Sequence, residues 1–398
     1  MNLVFIFCDM LRPNLLYSFN ENVVAPGEMD HLFDNLKGTA YTNCYTPAPD
    51  SPRSLACLYT GLYPKNNGCT TRIKWPKYYL KPEAETIFDM LSKKSYTTHI
   101  NLTESEEKTG FLPDNIKGDI CLHDSTDKIM DVFRSNIESD TDSAYFINLN
   151  DYHWSMDDYG HNSMGDYYGQ KHLKTYIDML FQGIDIEDID YLFIYSDHGF
   201  LLDNEKVENQ LLLTNDNRSK ITMFVRKKGD NILKKNRKLS SIMDIHPTLN
   251  EILELTENKN SDGISLFSDE EYENIVIEDH KNFSVSLEQL IENWSIRTRE
   301  YHYYKSLDDD ALFKVMSDHE YIKIGSINGN IREILEGKIR DVSLSYQDTL
   351  IQHEILKSYQ ALYNCNFHYS SGESRFNGRR SIAGKIQRLL YRNKYIRW

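Results

Sequence analysis

Four short stretches of this chain carry side chains suited to chemistry on a charged ester. In Asp50-Ser51-Pro52-Arg53-Ser54, a proline-punctuated loop gives way to the largely apolar run 55–59. A serine at the point where loop becomes helix meets unpaired backbone N–H groups and the positive end of the helix dipole. Arg53 adds a planar, permanently charged fork for an anion. The plainer alternative is an N-cap serine beside a surface arginine. Asp9 directly follows the apolar run 2–8. Ligands of open α/β sheets gather at the carboxyl ends of strands, where a carboxylate can hold a hard or borderline cation or simply cap the next turn. Residues 150–165 are dense in His, Asp, Trp and Tyr. There Asp157 and His161 could share a cation if the chain turns at Gly160, the alternative being a polar, aromatic surface loop. Ser196-Asp197-His198-Gly199 ends the apolar run 189–195.

Taken along the chain, the stretches resemble the alkaline phosphatase superfamily, which includes sulfatases, nucleotide phosphodiesterases, phosphonate monoester hydrolases and phosphoethanolamine transferases. Thr60-Gly61-Leu62-Tyr63-Pro64 matches the turn after that family's nucleophile helix, and counting back by the family spacing lands on Ser51. The resemblance implies Ser51 as nucleophile, with Ser54 as the fallback. It implies one divalent cation (Zn, Mn, Mg or Ca) held by Asp9, Asp197 and His198, with Ser51 at the fourth corner. The segment ending in His153 resembles the sulfatase segment whose histidine lines the substrate pocket. Asp157 to Gly165 resembles the phosphodiesterase segment whose Asp and His bind a second metal. His153 or His161 then protonates the leaving group or joins that second cation, with His280 as a further candidate ligand. Arg53 would steady a non-bridging oxygen.

Some positions depart from the sulfatase pattern. Pro52 and Arg53 follow Ser51 directly, Met10 stands where sulfatases have a second Asp, and Asn101-Leu102-Thr103 replaces their sulfate-gripping Lys-Trp-His. No cysteine has the formylglycine context. Asp50-Ser51 is closer to the Asp-Ser pair of alkaline phosphatases, and Met10 to the phosphodiesterase branch.

The elements that must position these residues are legible in outline. Residues 2–8, 144–149 and 189–195 are short apolar runs rich in β-branched and aromatic residues, which predicts buried strands. Runs 31–36, 85–91 and 170–181 have helical spacing of apolar residues. Pro247, following Asp244, marks a helix start. Short strands follow from about residue 272. The expected fold class is α/β: an α/β/α sandwich on a mainly parallel sheet over residues 1–270, a small antiparallel subdomain over 271–345, and a helical, basic tail over 346–398.

Composition narrows the function. The chain has 398 residues and a formal charge of −15, which argues against general nucleic-acid binding but not against an anionic ester, since a metal or local arginines reverse the field. Six unpaired-looking cysteines, no basic leader and a strand beginning at residue 2 point to a complete N-terminus and a reducing, cytoplasmic setting. After Glu373 no acidic residue occurs, while arginines and lysines accumulate around Ile382, Ile386, Leu389 and Leu390. That tail suits either docking on the acidic body or peripheral contact with anionic lipid through 375–398. The expected function is metal-dependent hydrolysis or transfer of a phosphate-type or sulfate ester, on glycan or lipid-linked intermediates. The rival is a non-catalytic binding protein on the same fold.

Overall fold

The computed structural model describes residues 1–70, 80–102, 111–113, 115–139, 141–255, 260–279, 293–306, 309–317, 320–325 and 327–343. His280 and the basic tail lie outside the described residues.

The first sheet is built from β1 (Asn2–Cys8), β2 (Gly38–Tyr45), β3 (Thr97–Asn101), β4 (Ile120–His123), β5 (Ser143–Leu149), β6 (Tyr191–Tyr195), β7 (Met223–Lys227) and β8 (Leu233–Ser241). Its order is β4-β3-β5-β1-β6-β7-β2-β8, and β7 alone runs against its neighbours. The central strand β1 is buried at every position. Leu3, Phe5 and Phe7 enter the core on one face, and Val4, Ile6 and Cys8 the core on the other. This is the period-two alternation of a strand covered on both sides, which is why it reads as a continuous apolar run. Phe5 stacks on Phe146 and Phe193 of the flanking strands at 4.4 and 4.8 Å between ring centres. Those contacts tie β5, β1 and β6 in register and align their carboxyl ends.

Eight helices matter here: α1 (Glu28–Leu36), α2 (Ser51–Thr60), α3 (Ile87–Lys93), α4 (Thr126–Asn136), α5 (Asp151–Tyr159), α6 (Ser163–Phe181), α7 (Ile245–Ile252) and α8 (Gly329–Val342). Among the described residues, no helix is long and apolar enough to cross a membrane. The second sheet is antiparallel: β9 (Ile275–Asp279), β10 (Asn293–Arg297), β11 (Tyr301–Ser306), β12 (Asp310–Ser317) and β13 (Glu320–Ile324), adjacent in chain order. Its Trp294, Ile296 and Tyr303 join the same core as Leu3, Phe5 and Leu55, so the two sheets share one apolar interior.

Two expectations are corrected. Residues 151–159, read as a loop, form α5, because Tyr152, Ser155 and Met156 recur at helical spacing and are buried. Helix α6 begins at Ser163 rather than Gln170, capped by the Asn162 side chain, which accepts from the N–H groups of Met164 and Gly165.

A buried ion pair also ties the sheets together. The Arg297 guanidinium donates to both oxygens of Asp216 at 2.9 and 2.8 Å. Burial by itself would raise the Asp216 carboxyl, but Arg297 outweighs it and brings it down to about 2. A depressed carboxyl contributes stability above its unfolded value and loses it as pH falls through the folded value. Asp216→Asn should therefore cost about 3–5 kcal/mol at pH 7, since it strands a buried guanidinium. It should also remove roughly 2 kcal/mol of the native chain's stability loss between about pH 4 and 2. Urea midpoints across that range check both.

Candidate active site

The strand ends deliver the site. Asp9 follows β1, with its N–H donating to Leu149 O at the end of β5 at 3.1 Å. Asp197 lies two residues past β6, and α5, which carries His153, starts two residues past β5. Because β1 sits between β5 and β6, all three arrive at one edge. Ligand atoms of Asp9, Asp197 and His198 lie within 4.8 Å of one another, the only such group of three His, Cys, Asp or Glu among the described residues.

The chain turns sharply to achieve this. Met10, in the place of a second acid, takes a left-handed backbone (φ 64) and donates its N–H to Asp197 Oδ1 at 3.3 Å. That conformation is costly for a side chain bearing Cβ, and such strain collects at functional sites. Gly199 is required by close approach: a Cβ there would lie 2.2 Å from Asn217 O.

Donors around the acids leave gaps of one kind. Asp197 Oδ1 accepts from the N–H of Met10 and of His198, and the nearby Ser51 side chain helps to lower the Asp197 carboxyl. Asp9 Oδ2 is held by His153 Nδ1 at 2.7 Å. Asp9 Oδ1 and Asp197 Oδ2 are buried with no hydrogen-bond partner. His198 Nδ1 lies 2.9 Å from Gly199 O, to which it donates, so Nε2, 3.4 Å from Asp197 Oδ2, is the nitrogen that faces the acids. Two orphaned carboxylate oxygens and one oriented imidazole nitrogen make a candidate cation site of mixed oxygen and nitrogen character.

Titration behaviour agrees with crowded acids. Burial, then repulsion from Asp9, pushes Asp197 up to about 6 against the pull of His198. Burial would likewise raise Asp9, but His153 and then His198 draw it below the usual range. Burial would lower His153, yet Asp9 overrides it and carries the imidazole up to about 9. His153 is therefore a charged proton donor beside Asp9.

Ser51 is half-buried and forms the first residue of α2. Asp50, not Ser51, is the N-cap: its side chain accepts from Arg53 N at 3.2 Å, so the serine hydroxyl is not needed to cap the helix. Ser54 is no alternative nucleophile. It is fully buried, its hydroxyl donates to Asp197 O at 2.7 Å, and it accepts from Thr46 Oγ1 at 2.7 Å.

Arg53 departs from its expected role. It is fully buried and enclosed by Asp50 at 2.6 Å, Glu278 at 3.2 Å and Asp279 at 3.3 Å. Arg218 extends this network to Asp279 at 3.0 Å. The guanidinium is spent on three carboxylates and locks α2 to β9 instead of facing an ester oxygen. Arg53→Met should accordingly cost about 3–5 kcal/mol of stability by stranding buried acids. An arginine that gripped substrate would instead raise KM with little change in melting, so paired melting and KM measurements separate the roles.

The remaining candidates sit farther out. Asp157 is exposed, 3.7 Å from His153 Nε2 on the next turn of α5. The chain does turn at Gly160 (φ 90), but His161 packs edge-on against Phe200, 5.3 Å between ring centres. No group of three unites Asp157 with His161 among the described residues. Asn101 is occupied: its side chain and Asn148 exchange hydrogen bonds of 2.6–2.9 Å across β3 and β5.

Solved structures place this architecture. A 2-O GAG sulfatase matches with a TM-score of 0.62 at 12% identity, covering 93% of this chain and 95% of that one. A phosphonate monoester hydrolase from Silicibacter pomeroyi matches at 0.63 and 12% identity, over 85% and 94%. An alkaline phosphatase superfamily protein from Vibrio parahaemolyticus matches at 0.61 and 15% identity, over 87% of each. The chain shares its fold with these sulfatase, phosphonate monoester hydrolase and alkaline phosphatase superfamily structures. No protein-family profile and no curated protein matches the chain. The superfamily fold is thus shared over nearly the whole chain at identities too low to carry a substrate across.

Proposed function

We propose that the chain is a metal-dependent hydrolase or transferase of anionic esters of phosphorus or sulfur that works through Ser51. The observation that carries this reading is the pair of orphaned, buried oxygens, Asp9 Oδ1 and Asp197 Oδ2, beside the Ser51 hydroxyl at a helix N-terminus. Two buried carboxylate oxygens left side by side without a donor are costly unless something positive completes them.

Asp9, Asp197 and His198 would hold a divalent cation, which when bound neutralises ester oxygens and lowers the serine pKa. Asp197 accepts the Ser51 proton as Oγ bonds to phosphorus or sulfur. The ester oxygen leaves with its bonding electrons and takes a proton from His153. Water then releases the product, or an acceptor hydroxyl does so in a transfer reaction. His153 also keeps Asp9 Oδ2 oriented. Asp157, beside His153 Nε2, is suited to holding that imidazole in its protonated form, and a second cation at Asp157 and His161 is the lesser reading. The fold shared with a GAG sulfatase and a phosphonate monoester hydrolase supports the ester class. The serine at position 51, rather than a modifiable cysteine, favours phosphorus over sulfur.

A panel of aryl phosphate, phosphodiester, phosphonate and sulfate esters tests it, with Zn²⁺, Mn²⁺, Mg²⁺ and Ca²⁺ each supplied in turn. Cation-dependent turnover of at least one ester supports the reading. A chain that binds cation but turns over none would favour the non-catalytic rival.

A further inference from the structure

A second cluster of metal-binding side chains lies at the outer edge of the main sheet, away from the site above. Strand β4 is the last strand of that sheet, next to β3. His99 of β3 stands in register with Cys121 of β4 on one side and Tyr145 of β5 on the other. Partners in a parallel ladder project to the same face, and His123, two residues beyond Cys121, joins them there. His99 Nδ1 and His123 Nε2 are 3.1 Å apart. Two imidazole nitrogens sharing one tetrahedral zinc, each about 2.0–2.1 Å away, stand about 3.3 Å apart. The pair is therefore spaced as two ligands of one ion would be.

The surroundings favour a ligand role over a plain hydrogen bond. The His99 ring lies over Tyr145, 5.2 Å between centres and 12° from parallel, which fixes its orientation. Burial, then the neighbouring His123, holds His99 below the usual imidazole range, and burial does the same for His123, so both offer neutral lone pairs. Asp124, the adjacent acid, is paired with Lys128 at 2.7 Å. Among the described cysteines, Cys8, Cys44, Cys57 and Cys69 are buried, whereas Cys121 is exposed. Its side chain is on the histidine face and in solvent; it does not yet form a three-residue group with them, so binding requires it to turn toward them.

We propose that His99, Cys121 and His123 bind a borderline or soft divalent cation such as Zn²⁺ at the sheet edge, with water completing the shell. The Cys121 thiol gives up its proton on binding and each imidazole contributes a lone pair. This site differs in kind from the oxygen-dominated group at Asp9 and Asp197, and it does not depend on the proposed activity.

Cobalt titration separates the two sites. Co²⁺ is added to the full-length chain carrying Cys365→Ser, so that Cys121 is the accessible thiol, and absorbance is followed. A thiolate-to-cobalt charge-transfer band should appear, vanish in Cys121→Ser, and be lost or shifted to much higher cobalt in His123→Asn. His123 is half-buried at an edge, so that variant should fold; His99→Ala, which disturbs a ring stack, is the secondary variant. In parallel, Zn²⁺ should slow alkylation of Cys121 in the parent and not in His123→Asn. No band in the parent, or a band and protection that ignore the histidine substitutions, would overturn the site. Asp197→Asn should leave the band in place; its loss there would also overturn the site.

Discussion

Ser51→Ala should lower turnover of any ester substrate by about 1,000-fold or more while leaving the fold and the bound cation in place. Ser51 begins α2, is half-buried, and lies near Asp197, whereas capping of the helix is done by Asp50. Alanine is therefore expected to remove the reacting oxygen at little structural expense. Ser54→Ala is the informative contrast. It breaks a buried hydrogen bond to Asp197 O, so it should cost about 1 kcal/mol of stability and much less of kcat. A Ser54→Ala enzyme as dead as Ser51→Ala would move the chemistry or its positioning deeper into the helix. Initial rates, circular dichroism and metal analysis on the two variants read all of this.

Asp197→Asn should abolish tight cation binding and, with it, turnover, yet it should not weaken the metal-free fold. Two buried carboxylates that share a pocket repel each other, and removing one charge relieves that repulsion. Asparagine retains an oxygen for the N–H groups of Met10 and His198. The native chain should gain about 3–4 kcal/mol from a cation present at 100 to 1,000 times its dissociation constant. Asp197→Asn should gain almost nothing. The expected signature is an inversion: without cation the variant melts at or above the native chain, and with cation well below it. Melting curves in chelator and in saturating Mn²⁺ or Zn²⁺ measure it. A native chain that gains no stability from any of the four cations would count against the centre.

Much of this was legible in the sequence, for local reasons. Strand β1 is buried on both faces, so its burial is written as an unbroken apolar run, and a carboxylate at its end stands out. The same holds for the strand before Asp197 and His198. Helix α5 was less legible, since its outward face carries the polar, aromatic residues that suggest a loop. The fate of Arg53 was not legible at all. Its partners Glu278 and Asp279 lie 225 and 226 residues away. A long-range ion network leaves no spacing pattern, and a buried arginine looks the same in sequence as one that grips an anion. The hints were Asp50, three residues before Arg53, and a pair of acids ending the otherwise apolar strand β9. The hydrogen bond from His153 to Asp9 was hidden for the same reason, because strand order brings β1 beside β5 and so joins residues 144 positions apart. The capping role of Asp50 was hidden by its neighbour, since Asp and Ser are equally good N-caps.

The most direct test of the central claim is to catch Ser51 in the act. The cation-loaded chain is mixed with the best ester from the panel and quenched in acid within a few turnovers, and its peptides are read by mass spectrometry. A phosphoryl-type or sulfuryl group on Ser51, absent in chelator and absent from Asp197→Asn, is the result predicted here. Turnover that persists in Ser51→Ala, or an adduct found on another residue, would contradict it.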